Sequence, residues 1–291
     1  MGASRTFRSV LLVGALLAAG AACGSDDDSG STTTTKATSS TTTTTEATTT
    51  TGPEAMSEVR AYFLRDEKVG PVAREATGVN VAADAVTGLL EGPSAQEAEI
   101  GFTTAIPEGT ELLGVDIAGG VATVDLSEEF GTGGGSLSMM SRVAQVVFTL
   151  TQFPTVDSVA FSMEGEPVTA LGGEGLLLEA PQTRADWEDL SPAILVESPL
   201  PFAEVTSPLQ VTGTANTFEA VFQLNVTDGE GLIVYDQHHM ATSGTGTRGT
   251  FDVTATFEVP RPGQGAVIVF EYSAKDGSQI NIVEVPVQIS G

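Results

Sequence analysis

Residues 113–126 read LGVDIAGGVATVDL. Leu113, Val115 and Ile117 alternate with Gly114 and Asp116, and Ala122, Val124 and Leu126 alternate with Thr123 and Asp125. A period of two marks a strand with one face turned to a core. Gly119 and Gly120, between the two runs, accept the positive φ that a two-residue turn demands. The stretch therefore reads as a β-hairpin. On either side of it the period becomes helical. Upstream, Ala82, Ala85, Val86, Leu89 and Leu90 recur at i, i+3, i+4, i+7 and i+8, the stripe of an amphipathic helix. Asn80 is its expected N-cap, and Gly92-Pro93 stops it. Ser94-Ala95-Gln96-Glu97 has the capping-box pattern and opens one more short turn. Downstream, after a flexible glycine loop at 131–135, Met140, Val143, Ala144, Val147 and Leu150 form the buried stripe of a second helix over 137–152, which Phe153-Pro154 ends.

Val159, Phe161 and Met163 then alternate into a turn at Glu164-Gly165-Glu166, a second hairpin. Helix and hairpin thus occur twice, at 80–126 and 137–169, as a repeat of structure and not of sequence. Val59–Leu64 reads as a strand, with a second short strand around Pro71–Glu75. Together these parts predict an α+β domain over 53–188: two helices on one face of a mixed sheet, with the first strand inserted between the two units.

From about Pro192 the helical period is gone. Phe218, Ala220, Phe222, Leu224 and Val226 alternate, as do Phe251, Val253, Ala255, Phe257 and Val259. Ile268, Phe270 and Tyr272 lie on another strand, and Val283, Val285, Val287 and Ile289 close the chain. Turn pairs such as Asp228-Gly229, Ser243-Gly244, Pro262-Gly263 and Asp276-Gly277 separate the runs. About seven short strands in ~100 residues predict an all-β immunoglobulin-like sandwich over 192–291. The Cys-Trp-Cys pin of antibody domains is absent from it.

At the other end, Arg5 and Arg8 precede an apolar run from Val10 to Ala22, and Gly20, Ala21 and Ala22 lead into Cys23, the one cysteine of the chain. This is the pattern of a secretory signal peptide over 1–22. A lone thiol there resembles a lipobox, with Gly20 where an aliphatic residue is usual, and makes Cys23 the expected lipidation site. The run is short for a membrane span of ~20 residues. Residues 24–52 contain 14 threonines and no apolar period. They read, with Cys23, as a disordered tether over 23–52, whose end-to-end distance as a flexible coil is roughly 30 Å.

The net charge is −26, and −28 once Arg5 and Arg8 are removed with the signal. That excludes nucleic acid as an expected partner, because phosphate binding needs clustered Lys and Arg. It also leaves attachment to an anionic membrane to acyl chains. With Cys23 lipidated, no cysteine remains for a disulfide or a thiolate metal site.

The chemistry-bearing candidates are few. Asp125, Glu128 and Glu129 cluster before the glycine loop, where a carboxylate pair could serve glycan hydrolysis; we read Asp125 instead as a solvent-facing strand residue and Glu128 and Glu129 as ordinary loop acids. Glu91, Glu97 and Glu99 flank helix ends, and Asp26, Asp27 and Asp28 form a solvated acidic run. His238 and His239 are adjacent on a predicted strand, so they point to opposite faces and do not share a metal. The glycine loop lacks the lysine of a phosphate loop, and no GxSxG or HExxH is present. Asn225-Val226-Thr227 is a sequon placed mid-strand. The Thr242–Thr250 tract with Arg248 and the Gly131–Ser136 loop are possible binding surfaces that also read as turns. No catalytic residue, metal ligand or cofactor is assigned.

The order of parts resembles a known family. The Val59–Leu64 strand, GLLEGPSAQEAEIGFTTAIPEGTELLGVDIAGGVATVDLSEEF at 88–130 and RVAQVVFTLTQFPTVDSVAF at 142–161 are similar to the sporulation and spore-germination domain named GerMN. ILVESPLPFAEVTSPLQVTGTANTFEAVF at 194–222, GTGTRGTFDV at 244–253 and EYSAKDGSQINIVEVPV at 271–287 resemble the immunoglobulin-like domain that follows GerMN in many bacterial lipoproteins. The resemblance implies an extracytoplasmic protein anchored to the outer face of the cell membrane. It also implies a scaffold for other envelope proteins rather than an enzyme, and it carries no catalytic residue with it. A module for peptidoglycan or another wall polymer is the alternative, and a wall hydrolase a remote third.

Overall fold

The computed structural model describes residues 56–173 and 175–291. The signal, Cys23 and the tether lie outside them. The chain enters on β1 (Met56–Arg65) and returns on β2 (Lys68–Thr77). This antiparallel ribbon runs unbroken from Met56 opposite Thr77 to Arg65 opposite Lys68. Its turn is Asp66-Glu67, both at positive φ. Next come α1 (Val81–Leu90) and α2 (Ala95–Glu99). Asn80 does sit at the N-cap of α1, but through its backbone, without a side-chain cap bond. The capping box of α2 is complete in both directions.

The hairpin β3 (Leu112–Ala118) and β4 (Val121–Leu126) turns at Gly119 and Gly120, with φ of 59° and 83°. Then come a 3-10 turn at Glu128–Gly131, α3 (Ser136–Leu150), β5 (Ser158–Met163) and β6 (Glu166–Pro167). The sheet order is β3-β4-β5-β6, with β4 and β5 parallel across α3.

The expectation for the first strand needs correction. β1 is not inserted in this sheet; β1 and β2 form a separate ribbon. The reason is α3, in which every residue from Ser141 to Leu150 is buried. Its apolar stripe packs into the core. Its polar positions Gln145 and Thr149, with Gln152 in the turn just after it, take the place of a neighbouring strand along β1. The Arg60 N–H donates to Gln152 Oε1 at 2.8 Å, and Gln152 Nε2 donates back to the Arg60 carbonyl at 2.6 Å. The Tyr62 N–H donates to Thr149 Oγ1 at 3.0 Å, and Gln145 Nε2 donates to the Tyr62 carbonyl at 3.2 Å. Leu64 exchanges two backbone bonds with Thr103. Buried backbone groups must find partners, and a helix flank supplies them here.

The glycine loop before α3 is pinned, contrary to its expected flexibility. The guanidinium of the buried Arg142 donates to the carbonyls of Phe130, Thr132 and Gly133 at 2.7–2.8 Å.

A small pair, β7 (Ala170–Leu171) and β8 (Leu176–Leu177), precedes a 3-10 segment at Arg184–Leu190. The remaining strands are β9 (Ile194–Ser198), β10 (Glu204–Val205), β11 (Leu209–Ala215), β12 (Val221–Thr227), β13 (Ile233–Met240), β14 (Gly249–Ala255), β15 (Gly263–Tyr272) and β16 (Gln279–Ile289). They form two sheets, β14-β11-β9 and β10-β16-β15-β12-β13. Val211, Phe251 and Val253 from one sheet and Phe222, Leu224, Val267 and Val287 from the other fill a common core, the arrangement of a β-sandwich. Phe222 and Phe251 meet across it with ring centroids 4.7 Å apart. The strand expected from Phe218 begins later, at Val221. Glu219 and Ala220 take positive φ in a 3-10 turn, and Phe218 is exposed.

Candidate functional site

The sequence candidates do not converge. Asp125 Oδ1 accepts the Gly165 N–H at 3.0 Å, and the Glu128 N–H donates to Glu164 Oε1 at 3.3 Å. Glu129 is half-buried, and the Ser127 hydroxyl holds its carboxyl below the usual range. Glu99 is exposed, and Glu91 lines an acidic groove with Glu58, Glu75 and Asp84 between the ribbon and α1. Glu97 is committed inside the fold: it closes the α2 box and forms a two-pronged ion pair with Arg74 at 2.7 and 2.9 Å. His238 is exposed on β13, while the neighbouring His239 stacks on Tyr235 and accepts or donates at Nε2 to the Tyr235 hydroxyl at 3.0 Å. Burial, then the His238 charge, lowers the His239 pKa. Among the described residues no cluster of His, Cys, Asp and Glu could hold a metal. Asn225 lies mid-strand in β12. Arg248 is drawn away from any outer surface. Its Nε and Nη2 grip the two Glu188 oxygens at 2.8 and 3.0 Å, and Nη2 also donates to the Pro192 carbonyl at 2.7 Å.

What the fold does assemble is a joint between the α+β part and the sandwich. β9 is shared between them: Leu195 packs in the first core, Ile194 and Val196 in the second. The segment before β9, at the boundary of the two predicted domains, is anchored by Trp187 and Leu190, which are buried in the first core.

At the centre lies Tyr62, fully buried on β1, whose hydroxyl donates to Glu197 Oε1. Arg184 reaches the same carboxylate oxygen at 2.8 Å and lies over the rings of Phe148 and Tyr62, 4.8 and 5.3 Å from their centroids. Its remaining donors reach Thr151 Oγ1 at 2.8 Å and the Phe148 carbonyl at 3.2 Å. Arg60 Nε donates to the Glu197 carbonyl at 2.9 Å. Burial alone would push the Glu197 carboxyl up, but Arg184 and the Tyr62 hydroxyl outweigh it and hold it below the usual range. Glu188 is likewise lowered, with Arg248 and Asn216 overcoming burial. Burial pushes the Tyr62 hydroxyl strongly up, so it stays protonated and donating.

One further cation crosses the joint, and another fastens the ribbon to the segment before β9. Arg65 Nη1 donates to the Glu284 carbonyl at 2.8 Å, and Lys68 Nζ donates to the Asp189 carbonyl. Four of the nine described basic residues, Arg60, Arg65, Arg184 and Arg248, thus bind the two parts together. Sequence reasoning missed this set. The available signal was scarcity: in a chain with 12 basic residues, an arginine beside Trp187 and a glutamate closing the apolar run 194–196 are both out of place.

Comparison with known proteins agrees with this two-part build. Residues 60–169 match the family Germane, described as sporulation and spore germination. Residues 193–278 match Gmad2, the immunoglobulin-like domain of bacterial spore germination. Neither is a known enzyme family. Among solved structures, the chain is similar to a "putative lipoprotein" from Clostridium perfringens at 20% identity, covering 48% of this chain and 93% of that one with a TM-score of 0.35. It is similar to the tandem GerMN domains of the sporulation protein GerM from Bacillus subtilis at 18% identity, covering 68% and 61% with a TM-score of 0.38. The first GerMN domain of the same protein matches at 24% identity, covering 45% and 99% with a TM-score of 0.36. No curated protein matches the chain.

Proposed function

We propose that this chain, a Germane domain followed by a Gmad2 immunoglobulin-like domain, is a lipid-anchored extracytoplasmic scaffold that holds other envelope proteins and performs no catalysis. The observation that carries this reading is the joint. Cations that could have formed a ligand-binding patch are instead spent on fixing two domains in one geometry. A rigid body of that kind presents two surfaces at a set spacing, which is what a scaffold requires. Arg5, Arg8, the apolar run and the small residues before Cys23 support the anchor, and the threonine-rich segment supports a tether between anchor and body.

The anchor is tested by Cys23→Ser, which is expected to abolish lipid labelling and to release the protein into the soluble fraction or stall its processing. A variant that is cleaved and still fractionates with membrane contradicts lipidation. The scaffold role is tested by crosslinking in intact cells. Protein adducts are expected. Co-sedimentation with purified cell wall in the absence of protein adducts would replace the scaffold with a wall-polymer module.

A further inference from the structure

The five-stranded sheet of the sandwich ends on β10 at one side and on β13 at the other. Native sheets blunt such edges with short strands, lysine, proline or a cover. β10 follows the rule, being two residues long. β13 departs from it: the strand runs for eight residues, from Ile233 to Met240, and holds neither lysine nor proline. Ile233 and Met240 at its ends are 51% and 67% exposed.

One bond fixes which way its free backbone groups point. The Ala241 N–H, just past the strand, donates to the carbonyl of Ala220, the next pair beyond Met240 and Val221. In an antiparallel ladder such pairs alternate with pairs that turn away, and the register is unbroken from Tyr235 to Met240. Tyr235, Gln237 and His239 therefore bond to β12, while Asp236, His238 and Met240 turn N–H and C=O outward. Among the described residues, no backbone group from 233 to 240 bonds to anything but β12. Asp236 and His238 are exposed and share the outer face. Gln223 takes Oδ1 of Asp236. Oδ2 and the His238 ring have no hydrogen-bond partner among the described residues.

We infer that β13 pairs antiparallel with β13 of a second copy of this chain, about a two-fold axis through Gln237, so that two five-stranded sheets become one. The inference goes beyond the scaffold reading and stands without it. An axis that joins outward groups to outward groups must pass through a residue of the strand. Through Asp236 it would set carboxylate against carboxylate. Through His238 it would set imidazole against imidazole and Asp236 against apolar Met240. Through Gln237 it sets each Asp236 opposite the His238 of the other copy, each Tyr235 opposite His239, and each Met240 opposite Val234. Opposed side chains start about 5 Å apart, so an imidazole N–H reaches the free Oδ2 of Asp236. Tyr235 and His239 already stack within one chain, with ring centroids 6.1 Å apart, and the second copy extends that stack. This self-complementarity is what an isologous interface requires. The net charge of −26 opposes contact between copies over most of the surface. β13 is a local exception, with one carboxylate in eight residues and both histidines of the chain.

The axis makes the test specific. Across it residue 237 faces its own counterpart in a pair without hydrogen bonds, with Cα atoms about 4.5 Å apart, which a disulfide can bridge. The full chain carrying Gln237→Cys is oxidised in intact cells and read on a non-reducing gel, with the unsubstituted chain alongside to set the background from Cys23. A disulfide-linked dimer is expected. Ile233→Cys is expected to stay monomeric, because its two copies lie roughly 27 Å apart along the paired strands. Adding His238→Asp to Gln237→Cys opposes two carboxylates and is expected to lower the dimer yield by about tenfold or more. Adding Asp236→His as well exchanges the two residues, re-forms both pairs and is expected to restore the yield. All four positions are exposed, so the fold does not depend on them. No dimer from position 237, an equal yield from position 233, or a yield indifferent to His238→Asp would overturn the inference. A mixed disulfide from position 237 to a different protein would also overturn it, and would give the edge to a foreign strand.

Discussion

Glu197 takes a proton donor from each side: the Tyr62 hydroxyl and the Arg184 guanidinium. Removing one partner of a buried ion pair strands the other, which costs about 3–5 kcal/mol. Arg184→Ala is therefore expected to lower Tm on the order of 10 °C for a body of this size, read by calorimetry. The pH dependence follows from the depressed carboxyls of Glu197 and Glu188. Their contribution is full above the ordinary glutamate value of about 4.3 and is lost as pH falls through the lowered folded values. Glu197→Gln is expected to be less stable at pH 7 and to lose less on acidification; an identical acid profile contradicts the pairing. Gly88 gives a prediction of unusual sign. Alanine in a helix interior normally gains about 1 kcal/mol over glycine. Here its Cβ would lie 2.9 Å from Arg74 Cγ. Arg74 cannot withdraw, because Glu97 and the carbonyls of Ala73, Gly88 and Gly92 hold its guanidinium. Gly88→Ala is expected to destabilise by about 1–3 kcal/mol, and to stabilise in an Arg74→Ala background. Urea denaturation of the four variants reads the reversal.

At the scale of elements, α3 explains both what was legible and what was not. Its apolar stripe was readable, and so were α1, the α2 capping box and the Gly119-Gly120 hairpin, since each depends on short-range chemistry. Gln145, Thr149 and Gln152 carry no comparable signal, because polar side chains at helical spacing usually face solvent. Only the position of β1, more than eighty residues earlier, gives them another role. The ribbon turn hides for a different reason: Asp66-Glu67 takes a conformation usually signalled by Asn-Gly or Gly-Gly, so β2 begins earlier and runs longer than the Pro71–Glu75 strand that its sequence suggests. Thr149→Val keeps the shape of the side chain and removes the acceptor of the Tyr62 N–H. It is expected to cost about 1–3 kcal/mol and to speed hydrogen exchange at the Tyr62 amide. Unchanged exchange there would show that β1 finds its partner elsewhere.

At the scale of the molecule, the question is whether two domains behave as two. The composition break near Pro192 suggests separable modules, and the two family matches fall on either side of it. The joint argues otherwise. Trp187 and Leu190 belong to the first core, yet Glu188 between them is held by Arg248 from the sandwich. Leu195 fills the first core from a strand of the second. Unfolding either domain therefore exposes apolar surface of the other and strands charges that the other had paired. Both effects couple the two equilibria, because neighbours that share a network do not act additively. Heating the protein at neutral pH is expected to give one calorimetric transition whose van't Hoff and calorimetric enthalpies agree. Native-state proteolysis between Arg184 and Pro192 is expected to be slow. Weakening the joint should then uncouple the domains: in Arg184→Ala combined with Arg248→Ala, two transitions are expected and the 184–192 bonds become cleavable. Two transitions already present in the unaltered chain, or rapid cutting there, would mean that the joint is too weak to make one body of the two, and the case for a rigid scaffold would lose its physical basis.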